Sequence, residues 1–233
     1  MMRAPLAALV LALPAAALAQ APSTAQEFAR LYVPADATVA DAEAAFRKEA
    51  TRALAGEPQF TAMEARYPQL REAVLNAGAR VVRQQYASGL PTIHNRVAAL
   101  VSKGLATAEQ QEVIAFLRSG TGQAMQQAVR HSVDTGKLAD AARANPKAQA
   151  LTPAAVMGSM DVVGAMGALT PEQVQEVATF STTPTGRKFQ QLVPQLMAAI
   201  TEETNRLVQD TAPKVQQAML MAMRSQAAPA RKE

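Results

Sequence analysis

Apolar side chains recur every three to four positions along most of the chain, which is the period of an amphipathic helix. One such face carries Val39, Phe46 and Leu54, and Gly56 follows it at the position of a C-terminal cap. No segment keeps the period of two that a half-buried strand requires. The pattern therefore predicts an all-α protein.

Polar caps and prolines mark where the helices are expected to begin and end. Thr38 is expected to start the first long helix, with Asp41 as its capping-box partner. Pro91 is expected to open a separate helix, and Thr107 to cap the short helix after it. The last helical region, 184–224, contains Pro194 and Pro213, which are expected to kink or divide it.

The same signals predict the organisation of the chain. Thr152-Pro153 and Thr170-Pro171 each combine a cap with a proline at the first helical position. In chain order we expect a signal peptide over 1–19, N-terminal helices over 20–90, a first helical repeat over 91–134, a linker over 135–151, a second helical repeat over 152–225 and a disordered tail over 226–233.

The first residues have the three parts of a signal peptide. Arg3 supplies the positive charge, residues 4–17 the apolar stretch, and Ala17-Leu18-Ala19 a cleavage site. The apolar run is shorter than the roughly 20 residues of a membrane span. We expect a periplasmic or secreted protein, cleaved near Ala19 and without a transmembrane segment in the mature chain; the alternative is an uncleaved N-terminal anchor.

An internal repeat is the most informative feature of the sequence. A shift of 64 positions superposes 105–122 on 169–186 without a gap. The residues that recur identically after this shift are Gln111, Glu112, Val113, Phe116, Thr121, Gly122, Gln126, Gln127 and Val129. The segments that precede them, 92–103 and 156–167, align as well. The expected fold is a helical bundle built from two repeated helix–short helix–turn–helix units plus N-terminal helices.

The motif residues have a structural interpretation. They are Leu105, Phe116, Ser119 and Gly122 in the first copy and Leu169, Phe180, Thr183 and Gly186 in the second. We expect both phenylalanines to anchor the short helix in a core. Ser119 and Thr183 are placed to cap the next helix, and the glycines to let that helix approach its neighbour closely.

The motif resembles the domain of unknown function 2059 family, which is found in exported bacterial proteins. The second copy, with Leu169-Thr170-Pro171-Glu172 and then Phe180, Thr183 and Gly186, is the more similar of the two. The resemblance implies a helical fold and export. It implies no catalytic or binding residues.

Composition narrows the function classes. The chain has no cysteine, which excludes disulfides, thiol nucleophiles and cysteine-ligated metals. Its formal net charge of +4 is spread among interleaved acidic and basic residues, and aromatic residues make up only 4%. Nucleic-acid binding is therefore not expected, because stacking platforms and a basic stripe are lacking. No cofactor or metal is expected either.

Few residues offer catalytic chemistry. His131 and Asp134 lie three positions apart and could share a helix face, but a solvated histidine near a helix end is the simpler interpretation. Carboxylate pairs occur at Glu109/Glu112, Glu172/Glu176 and Glu202/Glu203. The first two pairs lie in the opening turns of helices, where the helix dipole favours negative charge.

Two further features are candidates for contacts with an anion or a partner. The turn at Thr183 and Gly186 is followed by Arg187 and Lys188, which could hold an anion at a helix N-terminus. Methionines, Met219 and Met223 among them, concentrate in the last third of the chain, where they could form an adaptable surface or fill the core.

The leading hypothesis is a non-enzymatic binding or scaffolding module of the cell envelope, whose partner is an unknown envelope protein or hydrophobic ligand. One alternative is a carrier of lipid or another hydrophobic ligand, for which an apolar cavity above roughly 300 Å³ would be evidence. The other is a hydrolase that uses the carboxylates or His131.

Overall fold

The computed structural model describes residues 23–144 and 151–227, and within these ranges it contains eleven helices. They are α1 (Thr24–Tyr32), α2 (Ala35–Ala55), α3 (Pro58–Arg66), α4 (Leu70–Gly104), α5 (Thr107–Arg118), α6 (Gly120–Ser132), α7 (Thr135–Ala144), α8 (Pro153–Gly158), α9 (Val162–Gly167), α10 (Pro171–Thr182) and α11 (Pro184–Ala227). The all-α prediction is confirmed. The predicted signal peptide, 1–19, lies outside the described residues, as do 145–150 and 228–233.

Two long helices, α4 and α11, form the frame of the bundle and run antiparallel. Near one end Arg96 donates to the buried Glu203 at 2.6 Å, and farther along Lys214 donates to Gln85 at 2.5 Å. Helix α2 also packs antiparallel against α4, since Arg83 pairs with Glu43 at 2.8 Å and Arg47 donates to Asn76 at 2.7 Å. Helix α4 therefore packs against both α2 and α11.

The main core joins α1, α4, α5 and the first half of α11. Its fully buried members include Phe28, Val97, Val113 and Leu196. Phe28 meets Phe189 edge to face, with ring centroids 5.8 Å apart. A smaller core around Phe60, Leu70 and Val74 lies at the other end of α4, where Met219 and Met223 pack against it. Apolar packing is therefore concentrated at the two ends of the frame.

The helix boundary predicted at Pro91 is wrong. Pro91 lies inside α4, which continues from Leu70 to Gly104, so the predicted division between 90 and 91 falls within one helix. An internal proline costs a helix about 3 kcal/mol. Leu90 and Ile93 on either side of it are buried in the main core, and this burial offsets the cost.

The prolines of the last helix do not divide it. Pro194 and Pro213 both lie inside α11, which extends over 44 residues. Side chains along α11 are buried against α4 on both sides of Pro194, among them Leu192 and Leu196. Packing on the long partner helix again overrides a local helix-breaking signal.

The cap predictions have mixed outcomes. Thr152 and Thr170 accept from the backbone N–H of Ala155 and Gln173, as predicted. Helix α2 instead begins at Ala35, and the Thr38 hydroxyl donates to the Pro34 carbonyl, so that cap prediction is wrong. Ala106 takes the N-cap position expected for Thr107, with the Glu109 carboxylate accepting from its N–H.

Among the described residues, no helix combines the length and hydropathy that a membrane span requires.

Candidate functional site

The two repeated turns have the same hydrogen bonds. Ser119 Oγ accepts from the Gly122 N–H at 3.0 Å, and Thr183 Oγ1 accepts from the Gly186 N–H at 2.9 Å. Each hydroxyl also donates, over 2.8 Å, to the carbonyl of the motif phenylalanine three residues earlier. Each side chain therefore links the end of one helix to the start of the next.

The motif phenylalanines contact one another. The rings of Phe116 and Phe180 stack with centroids 4.2 Å apart and planes within 2°. Phe116 is buried and Phe180 is half-buried, while Leu105 and Leu169 are both buried. The two turns therefore meet through the residues that the repeat has in common.

The similarity of the two units does not extend to the segments before them. Residues 92–103 are part of the continuous helix α4, whereas 156–167 contain the end of α8 and all of the six-residue helix α9. A short β-bridge between Val133 and Met160 fixes the α8–α9 connection to the end of α6. The matching geometry is thus confined to the short helix, the turn and the start of the next helix.

At the candidate anion site, the nearby donors already have partners within the protein. Lys188 pairs with Glu109, Arg187 donates to the Thr182 carbonyl, and the Gly186 N–H is taken by Thr183. The pairing with Lys188 and the bond from the Ala106 N–H lower the pKa of Glu109. An anion would have to displace these contacts, so the geometry of this turn favours a structural role.

The candidate catalytic groups are dispersed. His131 is exposed, and Asp134 Oδ1 accepts from the N–H groups of Gly136 and Lys137 at the start of α7, which lowers the pKa of Asp134. Glu176 accepts from Thr121 at 2.5 Å. Within 23–144 and 151–227, no group of three or more His, Asp or Glu side chains is arranged to hold a metal ion.

The carboxylate pair at Glu202 and Glu203 belongs to an ion-pair network. Arg96 of α4 contacts both carboxylates, and Arg206 pairs with Glu203 at 3.2 Å. Glu203 is only 6% exposed, so a buried charge is compensated from two sides. The arrangement fixes the position of α11 on α4.

A groove lies between α2, α4 and the second half of α11. Its volume is about 720 Å³. Its lining residues are Ala42, Ala45, Phe46, Glu49, Val82, Tyr86, Leu138, Leu151, Asn205, Val208, Thr211, Ala212, Val215, Gln216, Met219, Leu220 and Met223. Most of this wall is apolar, which is the composition of a site for a hydrophobic ligand.

Small residues create the space in the groove. Ala42 and Ala45 on α2 and Ala212 on α11 all line the groove, where larger side chains would reduce its volume. Beyond them Phe46 lies tightly over Gly78 of α4, since an added Cβ at Gly78 would be 2.3 Å from the phenylalanine ring. The contact holds α2 against α4 on one side, while α2 and α11 stay apart.

Few polar side chains line the groove, and Asn205, Tyr86 and Thr211 are three of them. Asn205 closes one end, where its side-chain amide exchanges two hydrogen bonds with the backbone of Leu151, at 2.7 and 2.8 Å. Burial raises the pKa of Tyr86 in the α4 wall. Thr211 is only 4% exposed, and its hydroxyl has no hydrogen-bond partner.

The predicted partner residues Met219 and Met223 both line this groove, while Met221 points away and is 58% exposed. Tyr86 and Thr211 were not predicted as site residues from the sequence. The available signal was the spacing of Val208, Thr211 and Val215, which places a continuous face on α11, but nothing in the sequence shows that this face lacks a packed partner.

Part of the chain matches a known protein family. Residues 166–214 match the family DUF2059, described as an uncharacterized protein conserved in bacteria. The matched stretch contains Phe180, Thr183 and Gly186 together with the α11 residues at the start of the groove. The first copy of the motif lies outside it, so the presence of two copies stays a prediction. No curated protein and no solved structure matches the chain.

Proposed function

We propose that this protein is a non-enzymatic binding protein of the bacterial cell envelope, and that it holds a hydrophobic ligand in the groove between α2, α4 and α11. The groove is the observation on which the proposal depends. Its volume of about 720 Å³ lies within the roughly 300–1,000 Å³ of small-molecule sites. Location in the envelope is inferred from the signal-peptide pattern at 1–19.

The lining supports a ligand of variable shape. Met219 and Met223 are unbranched and polarisable, so they adapt to different apolar surfaces. Both are half-buried between the smaller core and the groove. Val208 and Leu220 are 40% and 43% exposed. A bound apolar molecule would remove this surface from water, which supplies a driving force.

A scaffolding role has one supporting observation of its own. Met157, Val162, Val163 and Met166 on α8 and α9 are 61%, 63%, 84% and 40% exposed. Such a cluster is typical of a protein contact surface. Scaffolding is the second candidate, because the groove between α2, α4 and α11 has a volume of about 720 Å³ that a ligand can occupy.

We also propose that the chain contains two copies of one helical unit. The matched hydrogen bonds of Ser119 and Thr183 and the stacking of Phe116 on Phe180 support the duplication. In this proposal the two turns meet as a pair and leave the second half of α11 available for the groove.

The proposed function can be tested by comparing ligand binding in the wild-type protein and in a variant whose groove is blocked. Diphenylhexatriene is a rod-shaped hydrocarbon that fluoresces only in apolar surroundings, and we expect it to bind the wild-type protein. Ala212→Trp fills the groove with an indole ring and should weaken binding by roughly tenfold or more, a loss of at least about 1.4 kcal/mol.

The matched control is Gln217→Trp, which adds the same side chain to an exposed position of α11 outside the groove. It should bind the dye like the wild type. Equal binding by both tryptophan variants, or no binding by the wild type, would refute the proposed function. Circular dichroism confirms that both variants remain helical.

A further inference from the structure

We infer that the ligand is an uncharged single-chain amphiphile, with a hydroxyl or ester group that hydrogen-bonds to Thr211 inside the groove. The inference rests on the proposed function and specifies its ligand class. Three observations carry it: the unpartnered Thr211 hydroxyl, the charges along the groove and the shape of the space.

The first observation is the buried hydroxyl group of Thr211. This residue lies in the α11 wall, is 4% exposed, and its Oγ1 has no hydrogen-bond partner. A buried hydroxyl without a hydrogen-bond partner is unfavourable. A ligand oxygen at this position would restore the missing bond, and a hydroxyl can serve it as donor or acceptor.

The charges exclude an anionic headgroup from the groove. Among the described residues that line it, none is Lys or Arg, and the one charged side chain is the carboxylate of Glu49. A buried fatty-acid carboxylate would therefore lack a counter-ion within the groove. An uncharged headgroup avoids this penalty.

The binding of a cationic headgroup in the groove is also unfavourable. Glu49 already accepts a hydrogen bond from Arg52 of the same helix at 3.4 Å, and this neighbouring guanidinium would repel a second cation. Desolvating an ammonium group beside a carboxylate that already pairs with Arg52 gains little. The favoured headgroup is therefore neutral.

The shape of the groove matches a single extended chain. Its lining on α11 runs from Asn205 to Met223, which corresponds to about 27 Å at 1.5 Å per residue. Asn205 and Leu151 close one end with polar groups, and methionines form the other end. Thr211 lies between them, nearer to the polar end, so the headgroup would sit there and the alkyl chain would run toward Met219 and Met223.

Three ligands of equal chain length test the inference: a long-chain alcohol, the fatty acid and the alkylammonium. Their competition with diphenylhexatriene is measured near pH 8, where a carboxyl group with its usual pKa of about 4 is ionised. We expect the alcohol to bind roughly tenfold or more tightly than either ion. If the fatty acid or the alkylammonium binds as tightly as the alcohol, the inference is overturned.

Thr211→Val separates the hydrogen bond from the hydrophobic contact. Relative to the affinity for diphenylhexatriene, which forms no hydrogen bond, it should weaken alcohol binding by roughly fivefold, the effect of one neutral hydrogen bond. The control Thr201→Val replaces a buried threonine of α11 outside the groove and should change neither. Unchanged alcohol binding in Thr211→Val would refute the assigned contact.

The two proposals fail in different ways. If diphenylhexatriene does not bind the wild-type protein, the proposed function is wrong. If the dye binds and Ala212→Trp blocks it, but the alcohol shows no advantage, only the ligand class is wrong.

Discussion

Replacing Gly122 with alanine is expected to destabilise the protein by about 3 kcal/mol, which is large for the addition of one methyl group. A Cβ at this position would lie 2.0 Å from the Phe116 carbonyl oxygen. That oxygen belongs to the backbone at the end of α5, so relieving the clash requires the chain to shift. Gly186→Ala should destabilise the protein by a similar amount, because the added Cβ would lie 2.0 Å from the Phe180 carbonyl oxygen.

Gly120→Ala is the control for this prediction, since it changes another glycine of α6 and nothing lies within 4 Å of its added Cβ. Its stability should stay the same or rise by about 0.5–1 kcal/mol, because alanine favours helix. Urea unfolding gives all three values. If Gly122→Ala and Gly186→Ala were as stable as Gly120→Ala, the close approach at the two turns would be refuted.

Loss of the stacked ring in Phe116→Ala is expected to cost about 3–5 kcal/mol, the usual range for a buried phenylalanine. Phe180→Ala should cost less, because Phe180 is half-buried. The double variant should reveal a favourable coupling of about 0.5–1.5 kcal/mol between rings that lie 4.2 Å apart.

Phe116→Leu controls for apolar volume, since it retains most of the buried surface and removes the stacking. We expect a cost below about 1.5 kcal/mol. Equilibrium unfolding in guanidinium measures the four variants. Additive losses in the double variant would contradict a direct contact between the two units.

Several helix caps that depend on neighbouring residues were predicted correctly. Thr152, Thr170, Ser119 and Thr183 were predicted as caps, and each forms the expected hydrogen bond within three residues. A cap depends only on its own side chain and the next turn of backbone. Such features can be predicted from a single sequence.

Two helix starts were predicted incorrectly. Pro91 was expected to begin a helix, but the buried neighbours Leu90 and Ile93 hold it inside α4. Thr38 was expected to cap α2, but the helix begins three residues earlier, at Ala35. At Pro91 a local signal competes with tertiary contacts that the sequence does not display. At Thr38 the hydroxyl donates to the Pro34 carbonyl, so this side chain lies within the first turn of α2 and does not cap it.

The groove could be predicted only in part. The residues Met219 and Met223 were singled out as a partner surface, and both line it. The periodicity of α11 indicates an apolar face, but the gap depends on how far α2 lies from α11. Phe46 and Gly78 set the contact between α2 and α4, which is a relation between residues 32 positions apart. That distance is a property of the fold.

The most direct test of the account maps the ligand by methyl NMR on protein labelled at its methionines. Saturation with the long-chain alcohol should shift the methyl signals of Met219 and Met223, which line the groove, and leave that of the exposed Met157 unchanged. Shifts confined to Met157 and Met166 would place the contact on α8 and α9. That outcome, or the absence of any shift, would contradict a hydrophobic binding site between α2, α4 and α11.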